Sequence, residues 1–275
     1  MPKNPSTEEP ASIFPDDLKE YMDRNREGGY LLLDVRQPEE YAQSHLPGAR
    51  LTPLPLLADS LGELEKDRDK DTIVYCALGG RSRAAARFLA ERGFSRVRHL
   101  VGGIEAWEQK TATGPVDLQF EFIRGDESPA EAALLAWRME DGLKLFHLAM
   151  REKSSDPDLR RLLETLAGAE EGHKRRLAEY LEETGEVLPP APTGAAKIVE
   201  GGMDMERFLR ENEPLLGSVA GYLDLAMSLE TQALDLYLRM AYASRNQAAL
   251  EVFLRIGDEE KQHLTKLGEF LAGTL

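Results

Sequence analysis

Along the first 115 residues, short apolar runs at 30–35, 72–76 and 97–101 alternate with stretches of helical periodicity at 16–25 and 82–93. Runs that are apolar throughout, rather than at every second position, predict strands buried on both faces, as in a parallel sheet covered by helices. Gly93 closes the second helical stretch where a left-handed residue commonly ends a helix. From 111 to 126 the period is lost and Gly and Pro appear, which reads as a connection between two domains. Beyond it the pattern is helical. Ser128-Pro129-Ala130-Glu131 offers an N-cap hydroxyl, a proline at the first helical position and a capping-box glutamate. Three more long helices are predicted near 156–184, 214–243 and 246–272. The breaks at Ser154-Ser155-Asp156-Pro157 and Ser244-Arg245-Asn246 are short enough to join antiparallel neighbours, whereas 185–214 is long enough to cross a bundle. An internal repeat supports this reading. A shift of 90 residues pairs Leu135 with Leu225, Ala136 with Ala226, Leu148 with Leu238, Met150 with Met240, Leu177 with Leu267 and Leu181 with Leu271. The second half is a duplicated two-helix unit.

Composition sharpens the division. A chain of 275 residues is comfortable for two domains, here 1–115 and 127–275 with a linker at 116–126. With 42% hydrophobic and 30% charged residues, wholesale disorder is excluded. A formal net charge of −15 repels phosphate backbones and anionic lipid, so neither nucleic acid nor membrane is an expected partner. No apolar run approaches the roughly 18 residues that span a bilayer. The opening MPKNPSTEEPASIFPDDL lacks the basic and apolar segments of a signal peptide, so a cytoplasmic location is expected. Cys76 is the only cysteine, which excludes an intrachain disulfide and any Cys-rich metal site within one chain.

That cysteine ends an apolar run, in Ile73-Val74-Tyr75-Cys76-Ala77-Leu78-Gly79-Gly80-Arg81-Ser82. Backbone N–H groups of a glycine-containing turn and the positive end of the following helix can converge on its sulfur and favour thiolate. A thiolate so held can attack the outer sulfur of thiosulfate or a polysulfide, with Arg81 supplying positive charge for the anion. The first half resembles the single-domain rhodanese family. The matching pieces are Leu32-Leu33-Asp34-Val35-Arg36, Glu39-Glu40-Tyr41, His45-Leu46-Pro47-Gly48-Ala49, the Cys76 loop, and Gly102-Gly103-Ile104-Glu105-Ala106-Trp107, in the family's order. The resemblance implies an α/β rhodanese-like fold, a parallel sheet flanked by helices, with Cys76 as persulfide carrier and Arg81 as its catalytic partner. The implied substrate-binding loop comprises Ala77, Leu78, Gly79, Gly80 and Ser82. Related phosphatases carry a loop one residue longer. Asp34 and Arg36 are expected to brace the loop's surroundings, His45 to serve a turn, and Trp107 the core.

In the helical half, Glu170 and His173 share a helix face, as do Glu260 and His263, because residues three apart are neighbours on a helix. Glu140 and Glu230 each lie 30 residues before such an E-x-x-H, on otherwise apolar faces. A carboxylate there is costly unless paired or metal-bound. Four carboxylates and two imidazoles suit two divalent transition metals. Arg138-Met139-Glu140, Ala169-Glu170-Glu171-Gly172-His173, Leu229-Glu230 and Asp258-Glu259-Glu260-Lys261-Gln262-His263 resemble the rubrerythrin branch of the ferritin-like superfamily. The resemblance implies an all-α ferritin-like four-helix bundle, two iron ions with manganese or a mixed pair as alternatives, and peroxide or O2 chemistry. The implied ligands are Glu140, Glu170, His173, Glu230, Glu260 and His263. The sequence departs from rubrerythrins at Ala233, where they carry a further carboxylate, and it has no rubredoxin module, so an external electron donor is expected. His147 and Tyr237, each seven residues beyond a ligand glutamate, are read as core packing, with lining of the metal pocket as the alternative. The expected function is sulfur transfer from thiosulfate or polysulfide to an external thiol or cyanide, linked to a di-metal redox step in a homodimer. The alternative is a non-catalytic persulfide carrier or sensor with the bundle as a dimerisation scaffold.

Overall fold

A computed structural model describes residues 10–114, 129–183, 198–199, 203–204, 210, 212–213 and 218–274. The chain forms two compact units, Met1–Leu118 and Gln119–Leu275. Of the connection expected at 111–126, the residues from 115 onward lie outside those described. Ala112 belongs to the first unit, exchanging backbone hydrogen bonds with His45.

The first unit runs β1 (Ala11–Ile13), α1 (Pro15–Arg24), β2 (Tyr30–Asp34), α2 (Pro38–Gln43), β3 (Arg50–Leu51), a short α3 (Leu61–Leu64), β4 (Asp71–Tyr75), α4 (Gly80–Glu91) and β5 (Val97–Leu100). Proline at the start of α1, Asp16 and Asp17 in its first turn and Arg24 in its last all suit the helix dipole. The strands form a parallel sheet in the order β1-β5-β4-β2-β3. The uniformly apolar runs serve both faces. Tyr30, Leu32, Ile73 and Tyr75 pack with Leu18, Met22 and Tyr41 on one side. Leu31, Leu33, Val74 and Cys76 pack with Ala85, Ala86 and Leu89 of α4 on the other. β4 is the central strand, so the loop after it opens at the carboxyl edge of the sheet, where α/β proteins bind ligands. The strands expected at 30–35, 72–76 and 97–101 are β2, β4 and β5; β1 and β3 are too short to announce themselves by pattern.

Gly103 fixes how closely the turn after β5 approaches that loop. Its φ is 62°, and a Cβ there would sit 2.2 Å from the carbonyl oxygens of Cys76 and Ala77. Those carbonyls accept the N–H groups of Ile104 at 2.8 Å and Glu105 at 3.2 Å. The Gly102 to Trp107 motif thus acts as a clamp beneath the cysteine loop.

In the second unit the long helices are α5 (Pro129–Lys153), α6 (Pro157–Glu183), α7 (Val219–Ala243) and α8 (Gln247–Thr274). Helix α5 pairs with α6, and α7 with α8; further contacts join α5 to α7 and α8, and α6 to α8. The expected N-cap, Ser128, lies outside the described residues. Asp156 caps α6 by accepting the N–H groups of Asp158 and Leu159, both at 2.9 Å. Ser218 caps α7, which therefore starts at Val219 rather than near 214, and Asn246 caps α8. An all-α description needs one correction, since Ile198–Val199 (β6) and Met203–Asp204 (β7) pair as a small antiparallel ladder in the crossover. No described helix is long and apolar enough to cross a membrane.

The helical unit has two apolar clusters, one on each side of a polar band. Along α5, Ala133 to Met139 belong to one cluster and Leu143 to Met150 to the other, with Glu140 between them. Helix α7 divides in the same way around Glu230, with Leu229 on one side and Ala233 on the other. On α6 and α8 the interval between the clusters holds Glu170 with His173 and Glu260 with His263. Replacing Gly103 by alanine is expected to destabilise the first unit by on the order of 1–3 kcal/mol, through clash and positive φ. Urea unfolding followed by Trp107 fluorescence in a Trp137→Phe background measures this, and an unchanged midpoint would count against the clamp.

Candidate active site and metal centre

Cys76 is 1% exposed and lies within the apolar cluster under α4, yet its sulfur is turned to donors. The Gly79 N–H donates to Sγ at 3.1 Å, the Ser82 N–H at 3.4 Å, and Ser82 Oγ lies 3.5 Å away. Gly79 reaches this position with φ of 100°, placing its N–H toward the sulfur as α4 begins. Burial pushes the thiol up, but the Ser82 hydroxyl and the N–H groups of Ser82, Gly79 and Leu78 outweigh it and hold the pKa below the ordinary thiol value. Of the expected loop residues, Leu78, Gly79 and Ser82 therefore touch the sulfur. Ala77 turns its carbonyl to Glu105, Gly80 opens α4, and the Leu78 side chain stands 70% exposed.

Arg81 is less free than its sequence role requires. Both of its terminal nitrogens meet the Glu40 carboxylate, at 2.7 and 2.6 Å, in a two-pronged pair. Arg81 in turn draws the Glu40 pKa down to about 2, so Glu40 stays ionised through the neutral range. Glu40 also closes the cap of α2 by accepting the Gln37 N–H. Its function was hidden in sequence, because the fold brings together residues 41 apart. Asp34 and Arg36 form a buried pair, with Arg36 Nη2 2.6 Å from both Asp34 Oδ2 and the Ser44 carbonyl. His45 stacks on Tyr41 at 3.7 Å, and Trp107 packs partly buried against the α1 side of the sheet.

The polar band of the helical unit brings together all six carboxylate and imidazole residues expected as ligands, each at most 3% exposed. His173 Nδ1 lies 2.8 Å from Glu140 Oε2 and 3.1 Å from Glu170 Oε2. His263 Nδ1 lies 3.3 Å from Glu170 Oε1 and 3.5 Å from both Glu230 Oε2 and Glu260 Oε2. The two rings stack at 4.9 Å. Both oxygens of Glu170 and Glu260, Oε2 of Glu230 and Nδ1 of His263 are buried without a hydrogen-bond partner among the described residues. Burial, with the neighbouring carboxylates, pushes Glu170 and Glu260 well above the ordinary carboxylate range. Such a set is unfavourable as bare protein and fits divalent cations, whose charge and coordination would satisfy the orphaned atoms.

Three further residues complete the band. Tyr237 donates its O–H to Glu140 Oε1 at 2.7 Å. His147 Nε2 lies 3.1 Å from Glu230 Oε1, and Glu259 Oε2 lies 2.8 Å from His173 Nε2. Core packing is thus an incomplete description of His147 and Tyr237, whose polar heads face the carboxylates. The repeat carried the signal, since these two residues occupy equivalent positions 90 apart. A carboxylate on the outer nitrogen of His173 is the support that metal-binding imidazoles ordinarily have. A pocket of about 100 Å³, lined by His173, Arg176, Val252, Arg255 and Glu259 among others, opens beside this pair.

A model of the rhodanese-like domain matches residues 14–110. A sulfurtransferase of Allochromatium vinosum is 43% identical over 77 residues, 28% of this chain and 70% of that protein. The probable adenylyltransferase/sulfurtransferase MoeZ of Mycobacterium tuberculosis is 35% identical over 100 residues, covering 36% of this chain but only 25% of its own length. Among solved structures, a rhodanese-related protein from Thermoplasma volcanium is 34% identical over 35% of this chain and 89% of its own, with a TM-score of 0.31.

The cradle makes a measurable claim. Titrated by thiolate absorbance, Cys76 should ionise below the roughly 8.5 of a free cysteine, because hydrogen bonds to sulfur favour the charged form. Ser82→Ala should move the midpoint up, and an unshifted midpoint would show that the hydroxyl does not support the thiolate.

Proposed function

The chain belongs to the rhodanese-like family through residues 14–110, and we propose that it moves sulfane sulfur through a Cys76 persulfide while a two-metal centre in its helical half handles peroxide or O2. The observation that carries the first part is the thiolate cradle of Gly79 and Ser82. The Cys76 thiolate attacks the outer sulfur of thiosulfate, the S–S bond of the donor breaks, and sulfite leaves with the electron pair. The terminal sulfur of the resulting persulfide carries the negative charge that the loop N–H groups stabilise. An external thiolate or cyanide then takes that sulfur and returns Cys76 to the thiolate. Polysulfides enter by the same attack, with a shorter polysulfide leaving. Both terminal nitrogens of Arg81 are held by Glu40, so Glu40 competes with an anionic donor for that charge.

The second part rests on the buried ligand set, several of whose atoms have no hydrogen-bond partner among the described residues. Glu140, Glu170, His173, Glu230, Glu260 and His263 would hold two iron ions, with manganese or a mixed pair also fitting the donors. When bound, the ions supply a redox couple for peroxide or O2, with electrons from an external donor. Tyr237 fixes Glu140, Glu259 orients His173, and the apolar clusters on either side exclude water. The pocket beside His173 and Glu259 is the approach for a small oxidant. A helical half of this kind is ferritin-like in arrangement, and its resemblance to rubrerythrins supports that reading.

Incubation with thiosulfate should add one sulfur atom to the intact chain by mass spectrometry. In Cys76→Ser the addition should vanish and thiosulfate:cyanide transfer fall by on the order of 10³-fold or more, with metal content retained; an active Cys76→Ser protein would exclude the persulfide route. Glu40→Gln should lower the KM for thiosulfate at unchanged kcat, whereas a raised KM would show that Glu40 holds Arg81 in place for the donor.

A further inference from the structure

We infer that His147 is itself a metal ligand, binding through Nε2 an ion it shares with Glu230 and Glu170, so that the two metal positions are chemically unequal. The inference rests on the two-metal reading and extends it to a residue outside the six-ligand set. His147 is fully buried. Its Nε2 lies 3.1 Å from Glu230 Oε1 and 3.8 Å from Glu170 Oε1, and these three residues form a compact group of ligand atoms beside the one formed by Glu230, Glu260 and His263. Two ligand atoms each ~2.1 Å from one ion at about a right angle stand about 3 Å apart, so the separation of Nε2 and Oε1 suits adjacent corners of one coordination sphere. The Nδ1 atom of His147 has no hydrogen-bond partner among the described residues. Nε2 is thus the nitrogen that faces the carboxylates and would bond the ion.

The repeat shows what is unusual about this residue. Its equivalent is Tyr237, whose O–H donates to Glu140 Oε1 at 2.7 Å. Each repeat thus sends a side chain across to the first glutamate of the other. A phenol in that place can steady a carboxylate by donating a proton, whereas an imidazole also brings a nitrogen lone pair. A second asymmetry points the same way. Glu259 supports the outer nitrogen of His173 at 2.8 Å, but the position equivalent to Glu259 in the first repeat is Ala169. Among the described residues no carboxylate supports the outer nitrogen of His263 in this way, and His147, on the Glu230 side, supplies a third nitrogen to the half without that support.

The test uses full-length protein labelled with 15N-histidine, stripped of metal and titrated with Co(II). Paramagnetic NMR then counts the strongly shifted ring N–H signals of cobalt-bound histidines. The wild type should bind two Co(II) and show three such signals. His147→Tyr, which copies the other repeat, should show two and bind its second Co(II) at least about tenfold more weakly. A wild-type count of two overturns the inference while leaving the metal centre standing. A wild type that takes up no Co(II) removes the metal centre, and this inference with it. Because the wild-type count decides by itself, the result does not depend on how well the variant folds.

Discussion

Negative charge withdrawn from water is the constraint on which both halves of this protein turn. Burying an ionised group without compensation costs several kcal/mol even after relaxation, so each half must supply fixed positive poles. In the first unit the poles are backbone N–H groups at the start of α4, gathered on a sulfur that is itself 1% exposed. In the second, four fully buried carboxylates have His147, His173, His263 and Tyr237 facing them, and several of their oxygens have no hydrogen-bond partner among the described residues. Peptide dipoles suffice for one thiolate. For four carboxylates the proposed reading supplies cations.

The architecture of each unit follows from keeping these charges in place. The sheet presents its central strand end to the loop, and the glycine clamp after β5 holds the carbonyls of Cys76 and Ala77 from below, leaving the N–H side of the turn to face the sulfur. In the helical unit the two apolar clusters lie on either side of the polar band and hold the helices so that ligand atoms from four of them converge. Close packing makes the interior stiff, and stiffness keeps like charges together that would otherwise separate. On the proposed reading, bound cations would offset the cost of that arrangement.

Much of this was legible in the sequence, and for identifiable reasons. The apolar runs that became β2, β4 and β5 are buried on both faces and so lack any polar alternation. The 90-residue repeat turned two weak E-x-x-H pairs into one ligand set, because it placed Glu140 and Glu230 in register with them. What escaped notice depends on contacts between distant residues. β1 and β3 have three and two residues, too few for a pattern, and exist because β5 and β2 offer them edges. Glu40 is in sequence only one residue of the Glu39-Glu40-Tyr41 motif until the fold sets it against Arg81. His147 and Tyr237 look like core fillers until the repeat aligns them and the bundle turns each toward the opposite glutamate. Glu259 differs from its neighbour Glu260 only by the side of the helix it occupies, and only the packed bundle shows that its side reaches His173.

The claim that the helical half exists to hold metal is tested most directly by elemental analysis of the full-length protein purified without added metal. The account predicts close to two iron or manganese ions per chain, lost on chelation together with part of the thermal stability. A chain that purifies free of transition metal, takes none up on incubation and melts at the same temperature with or without chelator would contradict it, and would leave the carboxylate band as a structural scaffold.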